Sequence, residues 1–95
     1  MTLVARDRHR LAPLAAELDA QALACDVTDA IALGQAFASA AGAQHVDILV
    51  NNAGGAETAP VARTDADLWS RMIALNLTSA FTACRLAVPD RKSVV

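Results

Sequence analysis

Tyrosine is absent from these 95 residues, lysine occurs once, at Lys92, and aromatics amount to 3% of the chain. A core must therefore be built from Ala, Leu and Val, which carry the hydrophobic share to 55% against an ordinary ~45–50%. Such a composition suits helices laid on parallel strands. Cysteine occurs twice, at Cys25 and Cys84, with no CxxC spacing, no clustered histidine and no secretory context, which argues against a disulfide framework and a zinc site. Both cysteines read as small core residues, and no metal site is expected. His9 and His45 stand alone, without the Ser, Cys or carboxylate companions that nucleophilic catalysis needs.

No apolar run approaches the roughly 18 residues that span a bilayer, and Met1-Thr2-Leu3-Val4-Ala5 is too short for a signal-peptide core, so a cytoplasmic protein without membrane contact is expected. Eight basic and ten acidic residues are mixed along the chain, for a net charge of −2. The basic stripe that phosphate neutralisation requires is missing, and Arg6, Arg8 and Arg10 read as a solvated helix start rather than a nucleic-acid surface. At this length a domain buries only about 60–65% of the surface its unfolded chain exposes, which makes stability marginal.

What the chain does contain is strands alternating with helices. Thr2-Leu3-Val4-Ala5 reads as a strand, and Asp7 as the cap of a helix whose buried stripe is Leu11, Leu14, Ala15 and Leu18. Pro13 inside that stripe implies either a helix starting near Leu11 or a kink. Ala22 to Cys25 reads as the second strand, with Thr28 as the next N-cap, Asp29 at the positive helix end, and Leu33, Phe37, Ala40 and Ala41 as the helical face. Gly42 ends that helix and Val46 to Val50 forms a third strand. Asn51 to Arg63 reads as a loop, with Pro60 excluding regular helix. Thr64 to Asp67 has the spacing of a capping box, opening a long helix, 65–87, through Leu68, Met72, Leu75, Ser79 and Leu86 that Pro89 stops. Residues 90–95 show no pattern and are expected to fray.

The densest signal is Asp47-Ile48-Leu49-Val50-Asn51-Asn52-Ala53-Gly54-Gly55, an apolar strand running into two amides and two glycines. In open α/β sheets the carboxyl ends of such strands border the ligand crevice, so this order suits a nucleotide site. The alternation implies right-handed βαβ units and a single domain, or part of one.

The run Asn51-Asn52-Ala53-Gly54 closely resembles the signature of the short-chain dehydrogenase/reductase family. Two further landmarks fall in the family's order: the acidic turn Asp26-Val27, and a long helix carrying Trp69, Asn76-Leu77 and Phe81. From Thr2 to about Pro89 the chain looks like the middle of such an enzyme. The resemblance implies a partial Rossmann-like three-layer α/β fold over residues 1–95, a parallel sheet with helices on both faces that lacks the family's first strand and C-terminal half.

The resemblance also implies site roles. Ala5 stands where NAD-preferring members carry Asp, and Arg6 follows, which favours NADP over NAD through a contact with the ribose 2′-phosphate. Asp26 matches the residue that bonds the adenine amino group, with the Val27 backbone beside it, and Asn52, Ala53 and Gly54 match the segment beneath the cofactor riboses. Asn76 matches the helix residue that orients a water in the proton relay. Each also has a plainer reading: Arg6 as a solvated residue, Asp26 as support for a helix start, residues 52–54 as a bend. Trp69 and Phe81 read as packing residues, although the same helix often builds the family's subunit interface.

The family's remaining chemistry has no counterpart here. Glycines fall only at 34, 42, 54 and 55, so no glycine-rich phosphate cradle is present. The family's Tyr-x-x-x-Lys pair and its Ser are unmatched, which leaves no positioned proton donor. In the family sheet, strands 2–5 and 46–50 flank the missing first strand and so are not neighbours. The leading expectation is therefore a fragment of an NADP-dependent oxidoreductase acting on a small alcohol or carbonyl substrate, inactive alone. Alternatives are a non-catalytic module that associates through helix 65–87 with a full-length relative, and an α/β nucleotide binder of another family.

Overall fold

The computed structural model describes residues 1–41, 46–88 and 93–94. β1 (Thr2–Ala5) and β2 (Gln21–Ala24) pair in parallel, with Thr2 opposite Gln21 and Ala5 opposite Ala24. α1 (Arg8–Glu17) crosses between them and packs on both. β2 begins one residue before the expected Ala22, and the Cys25 N–H still extends the ladder to the Ala5 carbonyl at 2.9 Å.

Asp7 caps α1 as expected, its carboxylate accepting from the His9 and Arg10 amides at 2.9 and 3.3 Å. Because that cap gathers the first-turn amides, the helix starts at Arg8 rather than near Leu11, and Pro13 lies inside it. Leu11 and Ala15 are buried, but Leu14 and Leu18 are 46% and 47% exposed, since two strands offer too narrow a floor for the whole predicted stripe. The helix closes with Asp19 at φ 51°, the Asp19 N–H donating to Ala16 and the Ala20 N–H to Ala15, the two bonds of a Schellman ending.

α2 (Ala30–Ala41) is capped by Asp29, whose Oδ1 accepts from Ile31 and Ala32, both at 3.1 Å. The predicted cap, Thr28, is occupied elsewhere: its hydroxyl donates to Asp26 Oδ1 at 2.7 Å. A core cluster of Cys25, Leu33, Ala36 and Ala83 forms between β2, α2 and the last helix, with Leu23, Phe37 and Leu49 packed against it. Cys84 is only half-buried, not a core residue. Gly42, His45, Pro89 and Lys92 lie outside the described residues.

β3 (Ile48–Leu49) is shorter than the predicted Val46 to Val50 and pairs in parallel with β4 (Ser93–Val94). The tail expected to fray thus contributes a strand, which gives the β3 backbone partners it would otherwise lack. Among the described residues no ladder joins β1–β2 to β3–β4, in keeping with strands that are not sheet neighbours. The radius of gyration, 14.7 Å, exceeds the roughly 12 Å of a compact domain of this length.

After Pro60 a short 3-10 turn, Val61–Arg63, interrupts the expected loop. Asp65, not Thr64, then caps the long helix, its carboxylate accepting from Leu68 at 2.8 Å. The Thr64 hydroxyl instead donates back to the Pro60 carbonyl at 3.1 Å. The helix has three parts: α3 (Ala66–Ile73), a π turn (Ala74–Thr78) and α4 (Ser79–Ala87), the last packing on α2. Trp69 and Phe81, read as packing residues, are 63% and 64% exposed, because it is the Ala83 side of the helix that meets the core.

Candidate functional site

The sequence-predicted residues gather in two places. At the carboxyl ends of β1 and β2, the Cys25–Ala5 bond holds the strand ends side by side, so that Arg6 and Asp26 leave the sheet together. Asp26 Oδ1 accepts from both the Thr28 amide, at 2.9 Å, and the Thr28 hydroxyl, at 2.7 Å. Those bonds hold its carboxyl below the usual carboxylate range, assisted by the positive charge of nearby Arg6. Burial, then the carboxylates of Asp26 and Asp29, push the Cys25 thiol up, so this cysteine stays protonated and inert. Arg6 and Asp26 are exposed and Val27 is half-buried.

The second group forms where the loop after β3 meets the π turn. Asn76 makes a reciprocal pair with the loop backbone: its Oδ1 accepts from the Gly55 N–H at 3.1 Å and its Nδ2 donates to the Gly55 carbonyl at 2.9 Å. The same Nδ2 also donates to the Met72 carbonyl at 3.0 Å. The mid-helix amide, which helix propensity disfavours, thus holds the loop in place. Gly54 permits the approach: a Cβ there would sit 2.9 Å from Asn76 Oδ1, whereas one on Gly55 would meet only Leu75 Cδ2, at 3.2 Å.

Two other anchors fasten this loop. Asn51 Nδ2 donates to the Cys84 sulfur at 3.4 Å, and Arg71 pairs through Nη1 with Glu57 at 2.7 Å and through Nε with Asp67 at 3.0 Å. Asn52, Ala53 and Gly54 lie exposed between the anchors.

Of the predicted set, Arg6 lies near Asp26, which Val27 follows, and Asn76 bonds the Gly55 backbone next to Gly54. The first pair follows the β1–β2 sheet, and the second joins the loop after β3 to the π turn, with no ladder between the two sheets among the described residues. Sequence reading missed the Arg71–Glu57 latch, for which a separation of 14 residues leaves no signal, and the part Ser79 plays in the turn. The Asp67–Arg71 pair, at i and i+4 on a helix, had one. Among the described residues no group of three or more His, Cys, Asp or Glu could hold a metal ion, and no helix is long and apolar enough to cross a membrane.

A family model described as short chain dehydrogenase matches residues 1–93. Over 90% of its length the chain is 38% identical to a (5R,7aS)-5-hydroxy-7a-methyl-1-oxo-2,3,5,6,7,7a-hexahydro-1H-indene-carboxyl-CoA reductase of Mycobacterium tuberculosis, of which it spans 36%. The structure superimposes on a short-chain dehydrogenase/reductase of Serratia marcescens with a TM-score of 0.89 at 30% identity, covering 95% of this chain and 40% of that one. A variant of the actinorhodin polyketide ketoreductase, solved with NADPH, matches with a TM-score of 0.86 at 27% identity, over 92% of this chain and 36% of that one. The chain therefore spans well under half the length of these relatives.

Proposed function

Because this chain belongs to the short chain dehydrogenase family, we propose that it forms the cofactor-binding centre of an NADP-dependent oxidoreductase that interconverts an alcohol and a ketone or aldehyde by hydride transfer. Residues 1–95 are, in this reading, one partial NAD(P)-binding Rossmann domain. Family membership removes the reading as a nucleotide binder of another family.

The observation that carries the choice of NADP is the placement of Arg6. Its side chain leaves the end of β1 exposed and beside Asp26, where a guanidinium fork can take the ribose 2′-phosphate in a charge-assisted contact. The residues present suit such a cofactor: Asp26 and the Val27 backbone for adenine, and the open backbone of Asn52, Ala53 and Gly54 for the riboses. The nicotinamide, when bound, supplies the hydride. Asn76 keeps the relay role that the resemblance implies, but both its Nδ2 hydrogens are engaged, so its side chain can offer a water only acceptor capacity.

With no tyrosine in the chain, no proton donor of the family's kind is at hand, and the isolated 95 residues are expected to reduce no carbonyl substrate. Cytoplasmic residence and a homo-oligomer formed through helix 65–87 belong to the same proposal. A second reading rests on that helix alone. Trp69, Leu77 and Phe81 are each more than 60% exposed, which suits a non-catalytic module that associates with a full-length relative. A chain that stays monomeric when mixed with such a relative in analytical ultracentrifugation would exclude it.

The cofactor reading is tested by NMR titration with adenosine 2′,5′-bisphosphate and with 5′-AMP. The bisphosphate is expected to bind about fivefold tighter, equivalent to roughly 1 kcal/mol, shifting the amides of Arg6, Asp26 and Val27. Arg6→Ala should abolish the preference. Equal affinities in the unsubstituted chain would contradict NADP.

A further inference from the structure

In an α-helix the carbonyl of Leu75 would receive the amide four residues on, that of Ser79. Across the π turn that register slips: the Ser79 N–H donates five residues back, to the Ala74 carbonyl. One side chain stands in for the displaced amide, and another adds a bond just before the turn. The Ser79 hydroxyl donates to the Leu75 carbonyl at 2.5 Å, and Asn76 Nδ2 donates to the Met72 carbonyl at 3.0 Å. Ser79 thus serves two successive carbonyls with one residue. It is 6% exposed, so water is poorly placed to take over the bond its hydroxyl makes.

We propose that Ser79 is a positioning residue: its hydroxyl, by holding the Leu75 carbonyl, keeps the wide turn open, and the wide turn aims Asn76 at the Gly54–Gly55 backbone. The leverage is rotational. Each helical residue turns the chain by about 100°, so closing the slip rotates α3 against α4 by about that angle. α4 is fixed on α2 through Ala83, so the rotation falls on α3 and on Asn76, and the reciprocal pair with Gly55 is lost. Asn76 bonds the loop directly, whereas the side-chain bond of Ser79 stays within the helix, to the Leu75 carbonyl. The inference rests on the proposed cofactor site only for its consequence, a floor at residues 52–54 set in advance of binding.

The test is amide hydrogen exchange on the chain without nucleotide, so its outcome is independent of whether NADP is the cofactor. In the unsubstituted chain the Gly55 amide should be protected although its loop is exposed, and Leu33, in the core of α2, serves as reference. Ser79→Ala should speed Gly55 exchange about tenfold and leave Leu33 unchanged, a split that general loosening of the fold would not give. Ser79→Thr, which keeps the hydroxyl, should restore protection, and adding Ser79→Ala to Asn76→Ala should cost nothing more. A folded Ser79→Ala chain whose Gly55 exchange stays within twofold of normal would overturn the proposal. So would an unprotected Gly55 in the unsubstituted chain. Should Ser79→Ala fail to fold, Ser79→Thr decides: retained protection supports the proposal and lost protection in a folded chain overturns it.

Discussion

The two halves of the candidate site are held by contacts of different reach. Around Arg6 and Asp26 the side-chain bonds span two or three residues: Asp7 to His9 and Arg10, Asp26 to Thr28, Asp29 to Ile31 and Ala32. Around the loop after β3 they span 14, 21 and 33 residues: Glu57 to Arg71, Gly55 to Asn76, and Asn51 to Cys84. Each turn of the first half can form locally, and the β1–β2 ladder then sets the two side by side. The second half exists only when helix and loop have already met, and so depends on tertiary packing.

The largest effect should come from the long-range half. Gly54→Ala places a methyl 2.9 Å from an Asn76 oxygen that two loop bonds and a helix bond hold in place, and should cost about 2 kcal/mol in urea denaturation. Gly55→Ala meets only the end of a leucine side chain and should cost less. Equal costs would mean that Asn76 yields easily and that the contrast in rigidity is false.

On the β1–β2 side, away from the site, a substitution should act locally and can even help. Asp19 occupies the left-handed region at the end of α1, so Asp19→Gly should stabilise the chain by about 0.5–1 kcal/mol and raise its thermal midpoint without disturbing Asn76. The smallest effect concerns pH. The Asp26 carboxyl is lowered in the folded chain by Thr28, so its contribution is complete above the unfolded value near 3.9 and is lost as pH falls through the lower folded value. Asp26 is exposed and that contribution is modest. Acid titration followed by circular dichroism should show Asp26→Asn lacking this acid-sensitive component while the unsubstituted chain has it.

The same division explains what could be read from the sequence. The strand at Thr2–Ala5, the cap at Asp7 and the parallel α/β arrangement are local or periodic signals, and they stand where residue order put them. Where two neighbouring residues could both cap, order alone chose wrongly: Thr28 and Thr64 yielded to Asp29 and Asp65 because their hydroxyls were drawn to acceptors that only the folded turn supplies. The π turn left no periodic trace, since Leu68, Met72 and Leu75 suit an unbroken helix equally well. Trp69 and Phe81 carried the apolar character of core residues but lie on the side of the helix away from the Ala83 cluster. Nothing in the order of residues 90–95 announced that Ser93–Val94 would pair with β3.

If both halves serve one cofactor, a single ligand must touch both. Titrating the isotope-labelled chain with NADPH and following the amides of Arg6, Asp26 and Val27 together with those of Asn52, Ala53 and Gly54 measures this directly. The two sets should shift along one curve with one Kd, however weak the binding. Shifts confined to one set, or two sets with different Kd values, would contradict a shared cofactor surface.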